Sequence, residues 1–305
     1  MHSFIAAGQG KPGASFQVII RGIQMSRRAM RFLVAIAGLG FMTAAASAAC
    51  EPDKAAEKYP TFAEKPVKIA ISPLYAPFAY AEEGSDKLIG SDVEIGEAAL
   101  ECVGLKPEYV KGVFTSLLPT VLNGQTDIMN ANLFYNEERA QNVDFVVYMK
   151  AGSALVVPKG NEHAIKSMDD LCGLTTSAVI GTFSQKALEE QSKACEAAGK
   201  PAINIVVATE TDAAVRGILN KRIDFLLDNA GAAVVRVKDD PEALEIAFTQ
   251  ARDVKVGFAA KNDNNEILDA YLNGIQEIYR NGTVAKILEK YGIDPQLAIE
   301  PEILR

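Results

Sequence analysis

Short apolar runs alternate with amphipathic segments along most of the chain, and this order predicts strands connected by helices. The predicted strands cover residues 67–72, 108–110, 127–131, 144–148, 154–158, 175–179, 203–207, 224–227 and 254–260. The predicted helices cover residues 95–103, 117–123, 184–198, 213–219, 266–279 and a last segment that ends at 290. Alternation at this spacing is typical of parallel sheets with crossover helices. We therefore predict an α/β fold, and the 305 residues are enough for two domains.

Residues 1–49 are first basic and then apolar, unlike the rest of the chain. Arg27, Arg28 and Arg31 precede an apolar run at 32–41, and small residues at 46–48 follow. A basic cluster, a short apolar run and a small-residue site form the pattern of a cleaved signal peptide. The apolar run is shorter than the ~20 residues that cross a bilayer. We predict that residues 1–49 are a signal peptide and that the mature protein is periplasmic.

Both ends of this segment leave alternatives open. Translation starts at Met1, Met25 or Met30, and a retained membrane anchor is the alternative to cleavage. Cys50 directly follows the small residues, as in lipoproteins, but Ser47 stands where lipoproteins carry a bulky aliphatic residue. Lipid attachment at Cys50 is therefore the less favoured alternative to a secreted protein.

The charge of the remaining chain argues against binding to nucleic acid or to a membrane surface. The full sequence has a formal net charge of −8, and without the five basic residues of 1–49 this becomes −13. A chain this acidic has no electrostatic attraction to phosphate backbones or anionic lipids. We predict no nucleic-acid partner.

The four cysteines become relevant once export is predicted, because disulfides form in oxidising compartments. Cys172 and Cys195 flank a predicted strand and helix that can fold back on each other, and closing this loop would add about 3 kcal/mol to stability. We predict a disulfide between them, with two buried thiols as the alternative, and a buried free thiol at Cys102. With no C-x-x-C pair and two histidines in the sequence, we predict no metal site and no cofactor.

Several short motifs follow one another from residue 66 to residue 293. They are Tyr75-Ala76-Pro77-Phe78, Gly90-Ser91-Asp92-Val93-Glu94, Leu117-Leu118-Pro119, Asp127-Ile128-Met129, Glu138-Arg139-Ala140, Val143-Asp144-Phe145, Gly181-Thr182, Arg222-Ile223-Asp224 and Asn281-Gly282-Thr283. By their order and spacing, the chain resembles the periplasmic polar-amino-acid-binding proteins of ABC importers, which are family 3 of the extracellular solute-binding proteins. The cysteine pair at 172 and 195 and Gly199-Lys200-Pro201 resemble a recurring subgroup of these proteins.

The resemblance implies a two-lobe periplasmic-binding-protein fold of type II, each lobe a mostly parallel sheet flanked by helices. The expected parts are a flexible segment at 50–65, lobe one at 66–152 plus 251–305, and lobe two at 153–250. The chain then crosses between the lobes near Gly152-Ser153 and Arg252-Asp253, and these crossings act as a hinge. The implied partners are a small ligand and the membrane subunits of an ABC importer, with the protein itself a monomer.

Arg139 and the Gly181-Thr182 turn match places where the family holds the ligand carboxylate. A guanidinium is the natural bidentate partner of a carboxylate. The backbone N–H groups at Thr182 precede a predicted helix, whose N-terminus also attracts anions. The alternatives are that Arg139 pairs at the surface with Glu137 or Asp144, and that residues 181–182 form a plain turn.

The expected site is unusually aromatic. Tyr75 and Phe114 match positions where the family stacks rings against its ligand, although both could be core residues. Phe134, two positions after Asn132, and Phe183 stand where the family usually has hydroxyl side chains. Two ligand types fit such rings, namely a large apolar or aromatic side chain, or a methylated ammonium held by cation–π attraction.

The amine end of the expected site departs from the family pattern. The ammonium-binding aspartate of the family stands five residues after the position of Asp224, where this chain has Asn229, with Asp228 one place earlier. Neighbours on a strand point to opposite faces, so Asp228 could replace that aspartate only if a bulge re-aimed it. Whether Asp228 or Asn229 meets the amine end therefore stays open. Ser72 replaces the acid that members binding basic side chains often carry three residues before the tyrosine.

We therefore predict an exported solute-binding component of an ABC importer that captures a small carboxylate-bearing, amino-acid-like ligand between two closing lobes. The sequence has no nucleophile elbow, H-E-x-x-H motif or phosphate-binding glycine loop, so we predict that it is not an enzyme. Two alternatives use the same fold. One is a lyase or dehydratase with Glu94 or Asp228 as acid or base, and the other is a protein that presents its closed form to a sensor.

Overall fold

The computed structural model describes residues 50–209 and 211–305, so the predicted signal peptide lies outside the described residues. The strands are β1 (Val67–Ile71), β2 (Leu74–Tyr75), β3 (Ala79–Ala81), β4 (Leu88–Ile89), β5 (Pro107–Lys111), β6 (Ile128–Phe134), β7 (Val143–Pro158), β8 (Thr175–Val179), β9 (Asn204–Ala208), β10 (Leu226–Asn229), β11 (Leu244–Lys261) and β12 (Ala298–Leu304). The helices are α1 (Ala55–Lys58), α2 (Pro60–Ala63), α3 (Ser91–Cys102), α4 (Phe114–Leu122), α5 (Glu137–Ala140), α6 (Phe183–Ala197), α7 (Thr211–Leu219), α8 (Ala230–Asp239), α9 (Asn265–Arg280) and α10 (Thr283–Lys290).

The main sheet has the strand order β10-β7-β11-β6-β1-β5, and β12 pairs with β7. Strand β1 runs parallel to β5 and β6, whereas β7 and β11 pair antiparallel with their neighbours. A second parallel pair, β8 and β9, is joined to the segment before β10 by a parallel bridge between Thr176 and Phe225. Alternating β–α order therefore produces the parallel pairs, as the pattern predicts. The antiparallel pairs of the main sheet involve β7, β11 and β12, and β2, β3 and β4 form a small antiparallel sheet.

Two long strands join the halves of the molecule. Strand β7 has 16 residues and β11 has 18, and each extends through both halves. The first part of β7 pairs with the last part of β11 beside β6, and its second part pairs with the beginning of β11 beside β10. The sequence pattern predicts β7 as two shorter strands and β11 only over its last part, at 254–260, because a polar stretch interrupts the apolar residues of each.

The register between these long strands changes where they pass from one half to the other. Gln250 lies opposite Ser153 and Val254 lies opposite Ala151, so β11 has three residues where β7 has only Gly152. Extra residues in one strand bend the ladder and loosen its pairing locally.

Each half has its own apolar core. In the first half, α3 and α9 cover the sheet, and Phe258 stacks on Tyr148 with the ring centroids 5.0 Å apart. In the second half, the buried side chains of Leu188 and Phe225 lie in a core between α6, β8 and β10. None of the described helices is long and apolar enough to cross a membrane.

The expectation of a flexible segment at 50–65 is wrong. Tyr59 and Phe62 are only 3% and 4% exposed and pack into the core of the first half. Thr61 donates hydrogen bonds from its backbone and its hydroxyl to Glu266 in α9. The polar residues around them face solvent, and they mask this apolar anchor in the sequence.

The prediction of a free thiol at Cys102 is also wrong, because Cys102 forms a disulfide with Cys50. This bond ties the N-terminal segment to the end of α3. A sulfur atom in a disulfide cannot also carry a thioether-linked lipid, which argues against lipid attachment at Cys50. The second disulfide joins Cys172 and Cys195, the pair expected from the sequence.

Candidate functional site

A cavity lies between the two halves, and side chains from both line it. The nine residues that the sequence analysis proposes for ligand binding all line this cavity: Tyr75, Phe114, Asn132, Phe134, Arg139, Thr182, Phe183, Asp228 and Asn229. Further polar lining residues are Ser153, Ser177, Thr209 and Thr211, which the motifs did not indicate because hydroxyl residues are common throughout such sequences. The structure thus brings together residues that are up to 154 positions apart in the chain, from Tyr75 to Asn229.

One of the lining residues, Asp228, belongs to a buried ion pair. Asp228, at the end of β10, accepts a hydrogen bond from Nε of Arg236 in α8 at 2.8 Å. The hydroxyl of Tyr75, from the other half, donates to the same carboxylate at 3.0 Å. Burial and the neighbouring charge of Asp228 raise the pKa of Tyr75 well above its ordinary value, so the phenol keeps its proton and acts as a donor.

The side chain of Asn229 caps a helix and also forms a hydrogen bond across the cleft. Its Oδ1 accepts the backbone N–H of Gly231 at 2.8 Å, so Asn229 is the N-cap of α8. Its Nδ2 donates to Oδ1 of Asn132 in the opposite half at 3.1 Å. Because the N–H of Gly231 is a donor, it fixes which end of the Asn229 amide faces Asn132. Neither end of this side chain points openly into the cavity as a spare acceptor.

Asn132 has a left-handed backbone conformation, with φ at 46°, and its side chain is buried. Such conformations are costly for residues other than glycine and often occur at functional sites. Asp92 stabilises it, because the N–H of Asn132 donates to Oδ2 of Asp92 at 2.5 Å while Tyr148 donates to Oδ1 at 2.6 Å. Burial raises the pKa of Asp92 to about 6, and the hydrogen bond from Tyr148 opposes this rise.

Arg139 holds its guanidinium between the two halves. Nη1 donates to the carbonyl oxygen of Phe134 in its own half, and Nη2 donates to that of Gly181 in the opposite half, both at 2.6 Å. The alternative of a surface ion pair is not observed, because Arg139 forms no salt bridge with Glu137 or Asp144. Among the described ion pairs, Asp144 contacts Arg305 instead. Burial lowers the pKa of Arg139, but a guanidinium is still a cation at neutral pH.

The Gly181-Thr182 segment forms the turn before α6. Thr182 is the N-cap of this helix, and its hydroxyl accepts the N–H of Gln185 at 3.2 Å. The N–H of Gly181 donates to Oε1 of Gln185 at 2.7 Å, and that of Thr182 donates to the carbonyl of Val179 at 3.3 Å. Both backbone donors proposed for the carboxylate thus have partners within the turn, which is the geometry of the plain-turn alternative.

Two aromatic pairs form much of the cavity wall. Phe134 and Phe183 stack across the cleft with their ring centroids 5.1 Å apart and their planes at 11°. Tyr75 and Phe78 lie 5.2 Å apart in the first half. Phe134 and Phe183 also line a groove outside the cavity, so their stack separates the cavity from the outer surface on that side. The apolar wall suits a ligand with a large apolar part.

Comparison with known proteins gives a consistent family. Residues 67–294 match the model of the bacterial extracellular solute-binding proteins, family 3. A probable amino-acid-binding protein of Bacillus subtilis (strain 168), YxeM, is 30% identical over 218 residues, covering 70% of this chain and 79% of that protein. A probable histidine-binding protein of Campylobacter jejuni is 25% identical over 266 residues, covering 86% of this chain and 97% of that protein.

Solved structures have the same fold. An ancestral arginine-binding protein bound to arginine superposes with a TM-score of 0.67 at 27% sequence identity. The match covers 74% of this chain and 97% of the ancestral protein. The shared fold is the two-lobe periplasmic-binding-protein fold.

Proposed function

The chain belongs to family 3 of the bacterial extracellular solute-binding proteins, and on this basis we propose that it captures a small carboxylate-bearing, amino-acid-like ligand for an ABC importer. The observation that carries this proposal is Arg139, a cation between the lobes that contacts only neutral carbonyl groups in the described structure. A carboxylate that enters the cavity would place a negative charge next to the Arg139 guanidinium, which the neutral carbonyl groups do not provide.

We propose that lobe one comprises residues 66–152 and 251–305, that lobe two comprises 153–250, and that the crossings near Gly152-Ser153 and Arg252-Asp253 are the hinge. The change of register between β7 and β11 at this place supports the proposal, because a ladder with extra residues bends more easily than a regular one. Contacts between Tyr75 and Asp228, and between Arg139 and Gly181, belong to the closed arrangement. Such contacts exist only when the lobes are together.

The stacked rings of Phe134 and Phe183 favour a ligand with a large apolar or aromatic side chain over a methylated ammonium. Cation–π binding needs exposed ring faces around the cation. In the structure the two rings cover each other's inner faces. Ser72, which also lines the cavity, provides no acid for a basic side chain. We therefore expect arginine and histidine, which the named relatives bind, to bind weakly here.

The importer setting implies a mature protein in the periplasm that works as a monomer and contacts the importer's membrane subunits with both lobes in the closed form. We propose transport rather than catalysis, because neither candidate acid is placed for acid–base work. Asp228 is paired with Arg236, and Glu94 accepts hydrogen bonds from Lys290 and Tyr291 away from the cavity lining. Incubating the protein with its ligand and recovering the ligand unchanged would support a binder, whereas a converted product would support the lyase alternative.

The central test combines ligand identification with one substitution. Mass spectrometry of the compound that co-purifies with the protein should find a carboxylic acid. Calorimetry should then show that Arg139→Gln weakens its binding about 10- to 100-fold, since a charge-assisted hydrogen-bonded pair contributes roughly 1.5–3 kcal/mol. Arg222→Gln, at an exposed position of lobe two, is the matched control and should bind normally. Equal affinity in the Arg139→Gln variant would contradict the proposal.

A further inference from the structure

The charges around the cavity limit the chemical class of its ligand. Among the described residues that line it, Arg139 and Asp228 carry charge. The negative charge of Asp228 is already compensated, because Arg236 contacts Oδ2 at 2.8 Å while Tyr75 and the backbone N–H of Asn229 both donate to Oδ1. Arg139, by contrast, faces two neutral carbonyl oxygens.

Among the described lining residues, no acid is left without a cationic partner and available to pair with an ammonium group of the ligand. Asn229 stands where the family has an aspartate, and both ends of its amide are engaged, one by the N–H of Gly231 and one by Asn132. An ammonium has three donors and no acceptor. Burying it without an acidic partner costs several kcal/mol, because its hydration is lost and no opposite charge replaces it.

We propose that the ligand is a monocarboxylate with a large apolar part in which the group beside the carboxylate is uncharged, as in 2-oxo and 2-hydroxy acids. The carboxylate pairs with Arg139, and the uncharged oxygen avoids the need for an acid at position 229. This inference rests on the proposed function, since it takes the carboxylate partner of Arg139 as its starting point.

Matched pairs of compounds test the inference. Each pair shares its side chain and differs in the group beside the carboxylate: phenylalanine and phenylpyruvate, leucine and 4-methyl-2-oxopentanoate, tryptophan and indole-3-pyruvate. The sequence contains no tryptophan, so the fluorescence of an indole ligand, excited above the absorption of tyrosine, can be followed without tryptophan emission from the protein. In calorimetry, we expect the oxo acid of the best-binding pair to bind about tenfold or more tightly than the amino acid.

The variant Asn229→Asp places a carboxylate at the amine end. Aspartate is as good an N-cap as asparagine, so α8 should keep its start. We expect this change to shift the preference about tenfold or more towards the amino acid of the same pair. Asn220→Asp adds the same charge at an exposed position of lobe two and should leave the wild-type preference unchanged. Glu210→Gln and Asp212→Asn, which neighbour the lining residues Thr209 and Thr211 in the sequence, should also leave it unchanged.

The outcomes separate the inference from the function on which it rests. Tighter binding of the amino acid by the wild-type protein would overturn the inference and leave the proposed function standing. A co-purified ligand with a free ammonium group would also overturn the inference but not the proposed function. The same holds if an amino acid binds the wild-type protein and its binding is lost in Glu210→Gln or Asp212→Asn. If no member of any pair binds and the co-purified compound lacks a carboxylate, the proposed function itself fails. Preference for the oxo acid together with its reversal in Asn229→Asp supports both.

Discussion

Asp92 is a buried carboxylate on which the strained backbone of Asn132 depends. Its two oxygens accept hydrogen bonds from the N–H of Asn132 and the hydroxyl of Tyr148, and no cation is paired with it among the described ion pairs. Burial therefore dominates and raises its pKa to about 6. The folded protein thus binds this proton more tightly than the unfolded chain does.

The sign of the resulting pH effect follows from linkage. The stabilising contribution of Asp92 is complete below about pH 4 and is lost as the pH rises through about 6, because the buried carboxylate must then ionise. The stability lost in this way is on the order of 3 kcal/mol. In urea unfolding between pH 4 and pH 7.5, Asp92→Asn should therefore gain stability relative to the wild type as the pH rises. A constant difference over this range would show that Asp92 titrates normally.

Residue motifs predicted the lining of the cavity but not the state of each group in it. Arg139 and the four aromatic positions could be found because their sequence context matches the family. The pairing of Asp228 with Arg236 could not, because Arg236 lies in none of the motifs and no clear periodicity predicts α8. The ligand-binding role of these residues remains a prediction.

At the scale of elements, α3 and α9 pack closely because of one glycine. A Cβ at Gly274 would lie 2.2 Å from the carbonyl oxygen of Ala99, so no larger residue fits without moving a helix. Gly274→Ala should lower the free energy of unfolding by about 1–3 kcal/mol, as overpacked cores do. Gly217→Ala in α7 is the control, since its Cβ would meet only the side chain of Ile223 at 3.1 Å. Equal stability of both variants in urea titrations would contradict the close-packing argument.

The disulfide between Cys50 and Cys102 fastens the N-terminal segment to α3, and it spans 52 positions of the chain. Replacing both cysteines by serine should lower stability by about 4 kcal/mol on the chain-entropy estimate for a loop of this length. The disulfide between Cys172 and Cys195 closes a shorter loop of 23 positions. Replacing both of these cysteines by serine should therefore lower stability by slightly less. Guanidinium unfolding of the two double variants would measure both. A negligible loss for the first pair would contradict this role of the disulfide and would mean that the noncovalent contacts of Tyr59, Thr61 and Phe62 suffice to hold the segment.

Element prediction from the sequence was best where apolar periodicity is strong. Strands β1, β5 and β8 agree with the prediction nearly to the residue, because each is a short segment with β-branched or aromatic residues, which favour strands. The short strands β2, β3 and β4 and the terminal β12 were missed. Their side chains are half exposed and show no clear alternation, so only the pairing partners reveal them.

At the scale of the whole molecule, the lobes are held together by contacts that do not involve a ligand. Tyr75 donates a hydrogen bond to Asp228, Asn229 donates one to Asn132, and Phe134 stacks on Phe183. The family and the two-lobe fold could be predicted from the motifs, and the comparisons confirm them. The cross-cleft contacts could not, because they depend on how two distant stretches of chain face each other.

Removing one of these contacts should shift the ligand-free protein towards an open form. Tyr75→Phe deletes the hydrogen bond to Asp228 but keeps the ring, and a bond to a charged group contributes about 1.5–3 kcal/mol. Small-angle X-ray scattering should show a larger radius of gyration for this variant, which ligand restores. Tyr109→Phe loses a hydroxyl contact with Glu97 inside lobe one and should scatter like the wild type. Identical scattering of all three proteins would contradict a closure that depends on Tyr75.

The two long strands also determine when each lobe can be completed during synthesis. The elements of lobe two, from β8 to α8, lie between β7 and β11, so they emerge from the ribosome as one continuous piece. Lobe one must wait for β11, α9 and β12, because β6 pairs with β11 and α3 packs against α9. Until the chain beyond Leu244 has emerged, one edge of β6 is unpaired and the face of α3 that packs against α9 is exposed. Partly folded chains with such exposed apolar surface and unpaired strands are the ones that chaperones bind. That delay leaves residues 66–152 incompletely folded until most of the chain has been synthesised.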